Sequence, residues 1–171
     1  LFAFLPEHHL LFSCGHWDQS VKVTQVDSGK MLQSVTLQRQ VVTCLCITSD
    51  CNKHWLVTGS RDCTVAVWSI NPAVAECPIS KEPLHLLYGH DDAVCCVSAS
   101  GSKDIVCSGS EDGTLIIYTL RTGQYVQSIV LDARMLEGPL GSIVADREFG
   151  PAKASKSSAN QSHARISVTW V

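Results

Sequence analysis

Three stretches of the chain share one pattern: "FSCGHWDQSVKVTQVDSG" from Phe12, "LVTGSRDCTVAVWSINPA" from Leu56 and "VCSGSEDGTLIIYTLRTG" from Val106. In each, an apolar run enters a turn built on an aspartate (Asp18, Asp62 or Asp112) and a second apolar run leaves it. The aspartates stand 44 and 50 residues apart, and in the first and third copies a glycine, Gly29 or Gly123, follows its aspartate by 11 residues. This repetition constrains the fold more than any other feature. Each copy must be one supersecondary block that buries its apolar faces against its neighbours. The longer second interval has a visible origin in the inserted stretch "NPAVAECPISKEP", residues 71–83.

Within the copies the apolar pattern is that of short strands bounded by Gly, Asp, Asn or Pro, and no long stretch matches a helical period. Residues 38–88 offer four strands, at 41–48, 55–60, 64–70 and 84–88, with the insertion 71–83 before the last. Residues 89–131 offer four more, at 93–99, 104–110, 114–120 and 124–131. Residues 1–37 supply a partial unit, its last three strands lying between Leu10 and Leu37. From Asp132 to Val171 the repeat is lost, and "GPAKASKSSANQSHAR", without an aromatic residue, reads as a mobile tail. The closing "RISVTWV" is open to two readings, one more strand or a divergent terminus.

Four-stranded units at this period, with a Gly-His before one strand and a Trp at the end of another, resemble the WD repeats of a β-propeller. "LYGHDDAV" carries the Gly-His element and "VTGSRDCTVAVW" the aspartate turn and terminal Trp68. The departures are Tyr118 and Thr24 at the tryptophan place and Gln38 at the histidine place. More narrowly, "GHWDQSVKV", "VVTCL", "GSRDCTVAVW", "LYGHDD" and "LRTGQYVQS" are similar in order and spacing to the C-terminal propeller of BEACH-domain proteins, the neurobeachin and beige-like anchor group. The resemblance implies an all-β fold, a partial β-propeller of four-stranded antiparallel WD-repeat blades. It also implies a cytoplasmic, non-enzymatic scaffold of vesicle trafficking and membrane-protein sorting, peripheral on endomembranes only through other regions or partners. Fewer than three complete blades do not close a ring that typically takes 4 to 8, so the chain reads as part of a longer one.

His90, Ser108 and Asp112 pose a sharper question, because Ser, His and Asp also make a hydrolytic triad. Ser108 lies inside a strand, in "VCSGS", and not on the strained, exposed turn that a nucleophile needs. In the propeller reading the three make a structural staple. Asp112 accepts the Thr114 N–H and the His90 ring, and His90 bonds the Ser108 hydroxyl. Asp62, with Thr58 and the Gln38 amide, and Asp18 do the same turn-making work with fewer partners. Trp68 is expected as a buried indole between blades.

The remaining features narrow the partners. Net charge is −3 and the 13 Lys and Arg residues form no basic block, which argues against nucleic acid. No apolar run approaches the roughly 20 residues of a membrane span. Nine cysteines lie mostly inside apolar runs and suit reduced thiols. Cys44, Cys46, Cys51 and His54 form the one compact set of soft donors, but strand alternation already explains Cys44 and Cys46, and neighbouring Cys95 and Cys96 are expected on opposite faces. No metal or cofactor is therefore expected. The expected partners are proteins, met at one rim by Trp17, Arg61 and Glu111, each just before a turn aspartate, with Arg39, Asp91 and Asp92 on adjoining loops. The opposite rim, with its inserted loop, is the competing surface. The alternatives to a BEACH-type scaffold are a propeller subunit of another assembly, such as a substrate receptor for ubiquitin ligation, and a serine hydrolase.

Overall fold

β-Branched and aromatic residues at alternating positions favour short strands with two usable faces. The computed structural model, which describes residues 1–36, 38–74 and 76–131, forms them into three four-stranded antiparallel sheets. The first holds β1 (Phe2–Leu5), β2 (Leu10–Ser13), β3 (Val21–Gln25) and β4 (Met31–Val35). The second holds β5 (Val42–Asp50), β6 (Lys53–Ser60), β7 (Val65–Ile70) and β8 (His85–Leu87), and the third β9 (Val94–Ser100), β10 (Ile105–Ser110), β11 (Thr114–Thr119) and β12 (Tyr125–Val130). Strand order follows the chain in each. β1 lies against β5, and β5 and β6 lie against β9, so the first strands of successive blades are neighbours.

Residues 1–37 thus contain a whole four-stranded sheet, which corrects the reading of three strands. The opening "LFAFL" is β1, paired with β2 from Phe2↔Ser13 to Leu5↔Leu10. Pro6 ends the strand by starting a single 3-10 turn, Pro6–His8, where its fixed φ is an advantage. The expected tail at 132–171, with its "RISVTWV" strand, lies outside the described residues.

Two apolar layers join the blades. Leu5, Phe12, Val23, Leu56, Trp68 and Ile79 fill the space between the first and second, and Val57, Val65, Val94, Val97, Val106 and Tyr118 that between the second and third. The insertion contributes to the first layer. Ile79 is buried, and the Gln33 side chain of β4 donates to its carbonyl (2.9 Å) and accepts its N–H (2.8 Å). Much of the inserted loop is therefore a clasp between blades, with Ala73, Val74, Glu76 and Cys77 left exposed at its tip.

Each of β5 and β9 carries a bulge at the same place. Val42 pairs with Ser60 and Cys44 with Gly59, leaving Thr43 extra, while Val94 pairs with Ser110 and Cys96 with Gly109, leaving Cys95 extra. A bulge breaks the strict alternation of faces. Cys95 and Cys96 accordingly do not point apart as expected: the Cys96 thiol bonds with Cys95, and that bond, with burial, pushes its pKa up. Gly59 of β6 faces β9, and a Cβ there would stand 2.6 Å from both Cys44 Sγ and Val94 Cγ1.

The staple is wired through a threonine. Thr114 donates its N–H and its hydroxyl to Asp112 Oδ1, both at 2.6 Å. Its one hydroxyl proton is thereby used, so toward His90 Nδ1, 3.0 Å away, its oxygen can only accept. His90 carries its proton on Nδ1, and Nε2 accepts from the Ser108 hydroxyl at 2.7 Å. Asp112 does not touch the ring directly, which corrects the expected bond. The second blade repeats the relay with an amide. Trp68 Nε1–H donates to Thr58 Oγ1 (3.1 Å), Thr58 to Gln38 Oε1 (3.1 Å), Gln38 Nε2 to Thr64 Oγ1 (3.2 Å), and Thr64 to Asp62 Oδ1 (2.5 Å). Asp62 therefore reaches Thr58 and Gln38 through Thr64. Gln38 presents the same donor and acceptor as the Nδ1–H tautomer of histidine.

Burial lowers the His90 pKa below its ordinary 6.5, more than the nearby Asp112 and Asp91 carboxylates raise it. The ring is neutral near pH 7. At Asp112 burial acts to raise the pKa, but the bonds from the Thr114 hydroxyl, the Thr114 N–H and the Asp91 N–H outweigh it and the net direction is down. Both shifts have the same sign for stability: the unfolded chain binds protons that the folded one resists. The His90 contribution is intact above pH 6.5 and is lost as pH falls from there through the lower folded value. That of Asp112 is lost below 3.8.

Denaturant titration of the full chain is expected to show losses of about 1 to 3 kcal/mol for His90→Ala and for Asp112→Ala, with strong coupling in the double mutant. Additive losses would remove the relay. His90→Gln is expected to retain most of the stability at pH 7 and to flatten the stability profile just below pH 6.5; an unchanged acid slope would show that His90 is not its source. Gly59→Ala is expected to cost about 1 to 3 kcal/mol by overpacking the second blade junction, and a neutral effect by thermal melting would show that β9 can retreat.

Candidate protein-binding rim

The antiparallel turns alternate between two rims. The β6–β7 and β10–β11 aspartate turns share one with the loops that lead into β5 and β9, as Arg61 N–H bonding Val41 O (3.1 Å) and Glu111 N–H bonding Ala93 O (2.9 Å) record. Trp17, Arg39, Arg61, Asp91, Asp92 and Glu111 are all exposed there, and Trp17 is 97% exposed. The first-blade turn is simpler: Asp18 Oδ1 accepts the Ser20 hydroxyl (2.6 Å) and N–H (3.1 Å), and Oδ2 pairs with Lys22 (3.1 Å). The Ser20 hydroxyl first, then Lys22 and the Ser20 N–H, hold its carboxyl well below the usual carboxylate range. Cys14 occupies the place of Thr58 and Ser108, so this copy lacks the relay.

The staples hold the rim in shape. Asp62 and Asp112 use their second oxygen to accept a backbone N–H from the neighbouring loop, Arg39 to Asp62 Oδ2 at 2.7 Å and Asp91 to Asp112 Oδ2 at 3.3 Å. The backbones of Arg39 and Asp91 are thus tethered while their side chains face solvent. Asp92 accepts the Ala93 N–H (2.7 Å) and is engaged in its own loop.

Between the second and third blades these loops enclose a groove of about 640 Å³, with Arg39 and Asp91 in its lining. Trp17, Arg61, Glu111 and Asp92 lie outside it. Leu86, Tyr88 and Cys63 line it as well, and sequence reasoning missed them. Tyr88 is 66% exposed, and Leu84 and Leu86 are exposed beside it. The signal was present in "LHLLY", where period-2 alternation on an outermost strand puts Leu84, Leu86 and Tyr88 on one face. Burial first, and then the nearby Asp92, Asp62, Asp112 and Asp91 carboxylates, push the Cys63 thiol up. A raised pKa disfavours the nucleophilic thiolate.

The geometry also tests the chemical alternatives. Ser108 Oγ bonds the His90 ring, as in a triad, but Ser108 is 1% exposed and Asp112 bonds Thr114 in place of His90. A substrate carbonyl has no path to it. Cys44, Cys46, Cys51 and His54 are not brought together: Cys44 is buried against the third blade with its thiol pushed up to about 12 by burial, whereas Cys51 is exposed at the β5–β6 turn with φ 45°.

Residues 2–148 match the family described as the neurobeachin beta propeller domain. BEACH domain-containing protein B of Arabidopsis thaliana is 36% identical over 156 residues, covering 82% of this chain and 6% of that relative. A putative neurobeachin homolog of Caenorhabditis elegans is 32% identical over 133 residues, 69% of this chain and 5% of its own length. The chain therefore spans about one-twentieth of the curated relatives it matches. Among solved structures, the WD40 repeats of RRP9 superpose with a TM-score of 0.65 at 23% identity, over 77% of this chain and 38% of that one. The computationally designed Ika8 protein gives 0.61 at 29% identity, over 77% and 36%. Three four-stranded blades, the aspartate turns and the match along most of its length place the chain in the neurobeachin β-propeller family.

Proposed function

We propose that the chain is a non-enzymatic protein-interaction platform, the propeller portion of a BEACH-type scaffold in vesicle trafficking and membrane-protein sorting. The observation that carries this reading is the rim: an exposed Trp17, and a groove lined by Leu86 and Tyr88 together with the Arg39 and Asp91 loops, whose backbone N–H groups are tethered to the relay aspartates. Aromatic anchors with flanking charge suit a specific protein contact. Rigid loops also reduce the ordering cost of association. Among the described residues no helix is long and apolar enough to cross a membrane. In this reading the protein is cytoplasmic and reaches endomembranes as a peripheral component, through other regions or through its partners.

Affinity capture from cell extract, with the full chain as bait, tests the rim. Trp17→Ala with Arg61→Glu, and Tyr88→Ala with Arg39→Glu, are expected to lose specific partners while circular dichroism stays unchanged. Removing the whole insertion would also remove the buried Ile79, so the opposite rim is probed at its tip by Val74→Asp. Loss of partners with Val74→Asp, and retention with both rim variants, would move the binding surface to the opposite rim.

A further inference from the structure

On the rim opposite the aspartate turns, the 3-10 turn after β1 meets the start of β6 in the next blade. Glu7, His8 and His54 come together there, the only set of three or more His, Cys, Asp or Glu ligand atoms within 4.8 Å of one another among the described residues. The two imidazoles meet edge to face with centroids 5.5 Å apart. Glu7 and His8 are exposed and His54 is buried. None of the three serves the relay or the binding rim.

We propose that Glu7, His8 and His54 form a divalent zinc site that clips the first blade to the second. Two imidazole nitrogens and one carboxylate are a borderline donor set, which suits zinc better than the all-oxygen shells of calcium or magnesium. Ser49 supplies the outer contact that such a ligand needs. Its hydroxyl lies 2.7 Å from His54 Nδ1 and can accept that N–H, which orients the ring and leaves Nε2 as a bare lone pair. The Ser49↔His54 pair sits at the closed end of the β5–β6 hairpin, so this ligand is held by sheet pairing. Ligand atoms around tetrahedral zinc stand about 3.3 Å apart and those of the three residues lie within 4.8 Å of one another, so the exposed Glu7 and His8 need to close by at most about 1.5 Å. The fourth position falls to water. The second junction on this rim uses a charge pair for the same purpose, Arg121 to Asp50 at 2.6 Å.

Calorimetric titration of the full chain with zinc chloride tests the site, and cobalt(II) substitution identifies its ligands. The expected result is saturation at one metal per chain, an intense tetrahedral cobalt spectrum, and affinity at least tenfold lower in His8→Gln and Glu7→Gln. Because His8 and Glu7 are exposed, these variants are expected to fold whatever the fate of His54→Gln. Zinc is also expected to raise the melting temperature of the parent chain and to leave that of His8→Gln unmoved. The proposal is overturned by absence of saturable binding, by equal binding in His8→Gln, or by a near-ultraviolet thiolate-to-cobalt band that puts the metal on cysteine.

Discussion

A short row of hydrogen bonds that all point one way, ending on a carboxylate, is the constraint on which the described structure most depends. In the third blade the row runs Ser108, His90, Thr114, Asp112, and in the second Trp68, Thr58, Gln38, Thr64, Asp62. Each hydroxyl spends its proton on the next member, and Thr58, Thr64 and Thr114 also accept from the one before, so among the described residues no buried side-chain nitrogen or oxygen is left without a partner. The direction matters because a threonine with both its proton and its lone pairs committed fixes the tautomer of the histidine beside it. A carboxylate is a fitting end, since it only accepts. It has capacity left for the loop N–H groups of Arg39 and Asp91, and in this way a core relay determines the shape of a surface.

The same logic explains the replacement of His by Gln38. What the position requires is one N–H donor and one acceptor on a flat, neutral group, not a charge. A side-chain amide meets that need at every pH, while His90 meets it only when deprotonated. The two blades therefore differ in acid sensitivity more than in architecture. The first blade, with the Cys14 thiol where the relays have a hydroxyl, holds its Asp18 turn through Ser20 and Lys22.

Much of the fold was legible because the aspartate turns, the alternation and the period all report the same unit. The strands β5 to β12 coincide to within about two residues at each end with the runs that alternation marks, whereas β1 was hidden by Pro6, which reads as a breaker and acts as the first residue of a 3-10 turn. The site was legible in part. Trp17, Arg39 and Asp91 follow from turn chemistry, but the relay's step through Thr114 depends on where a hydroxyl proton points. The Cys95 bulge defeats simple alternation because one unpaired residue shifts the phase. The insertion reads as a free loop, yet Gln33, 46 residues away in sequence, docks Ile79 by both backbone groups. Glu7, His8 and His54 are likewise neighbours only across a blade junction.

Native-state hydrogen exchange at the Asp91 and Thr114 amides tests the central claim most directly, since both donate to the Asp112 carboxylate. If one relay clamps loop and turn together, both amides exchange slowly in the parent chain, and both lose protection in His90→Ala although neither bonds the ring. Exchange of the Asp91 amide at the rate of an unprotected loop in the parent chain, or unchanged protection of both in His90→Ala, would contradict it.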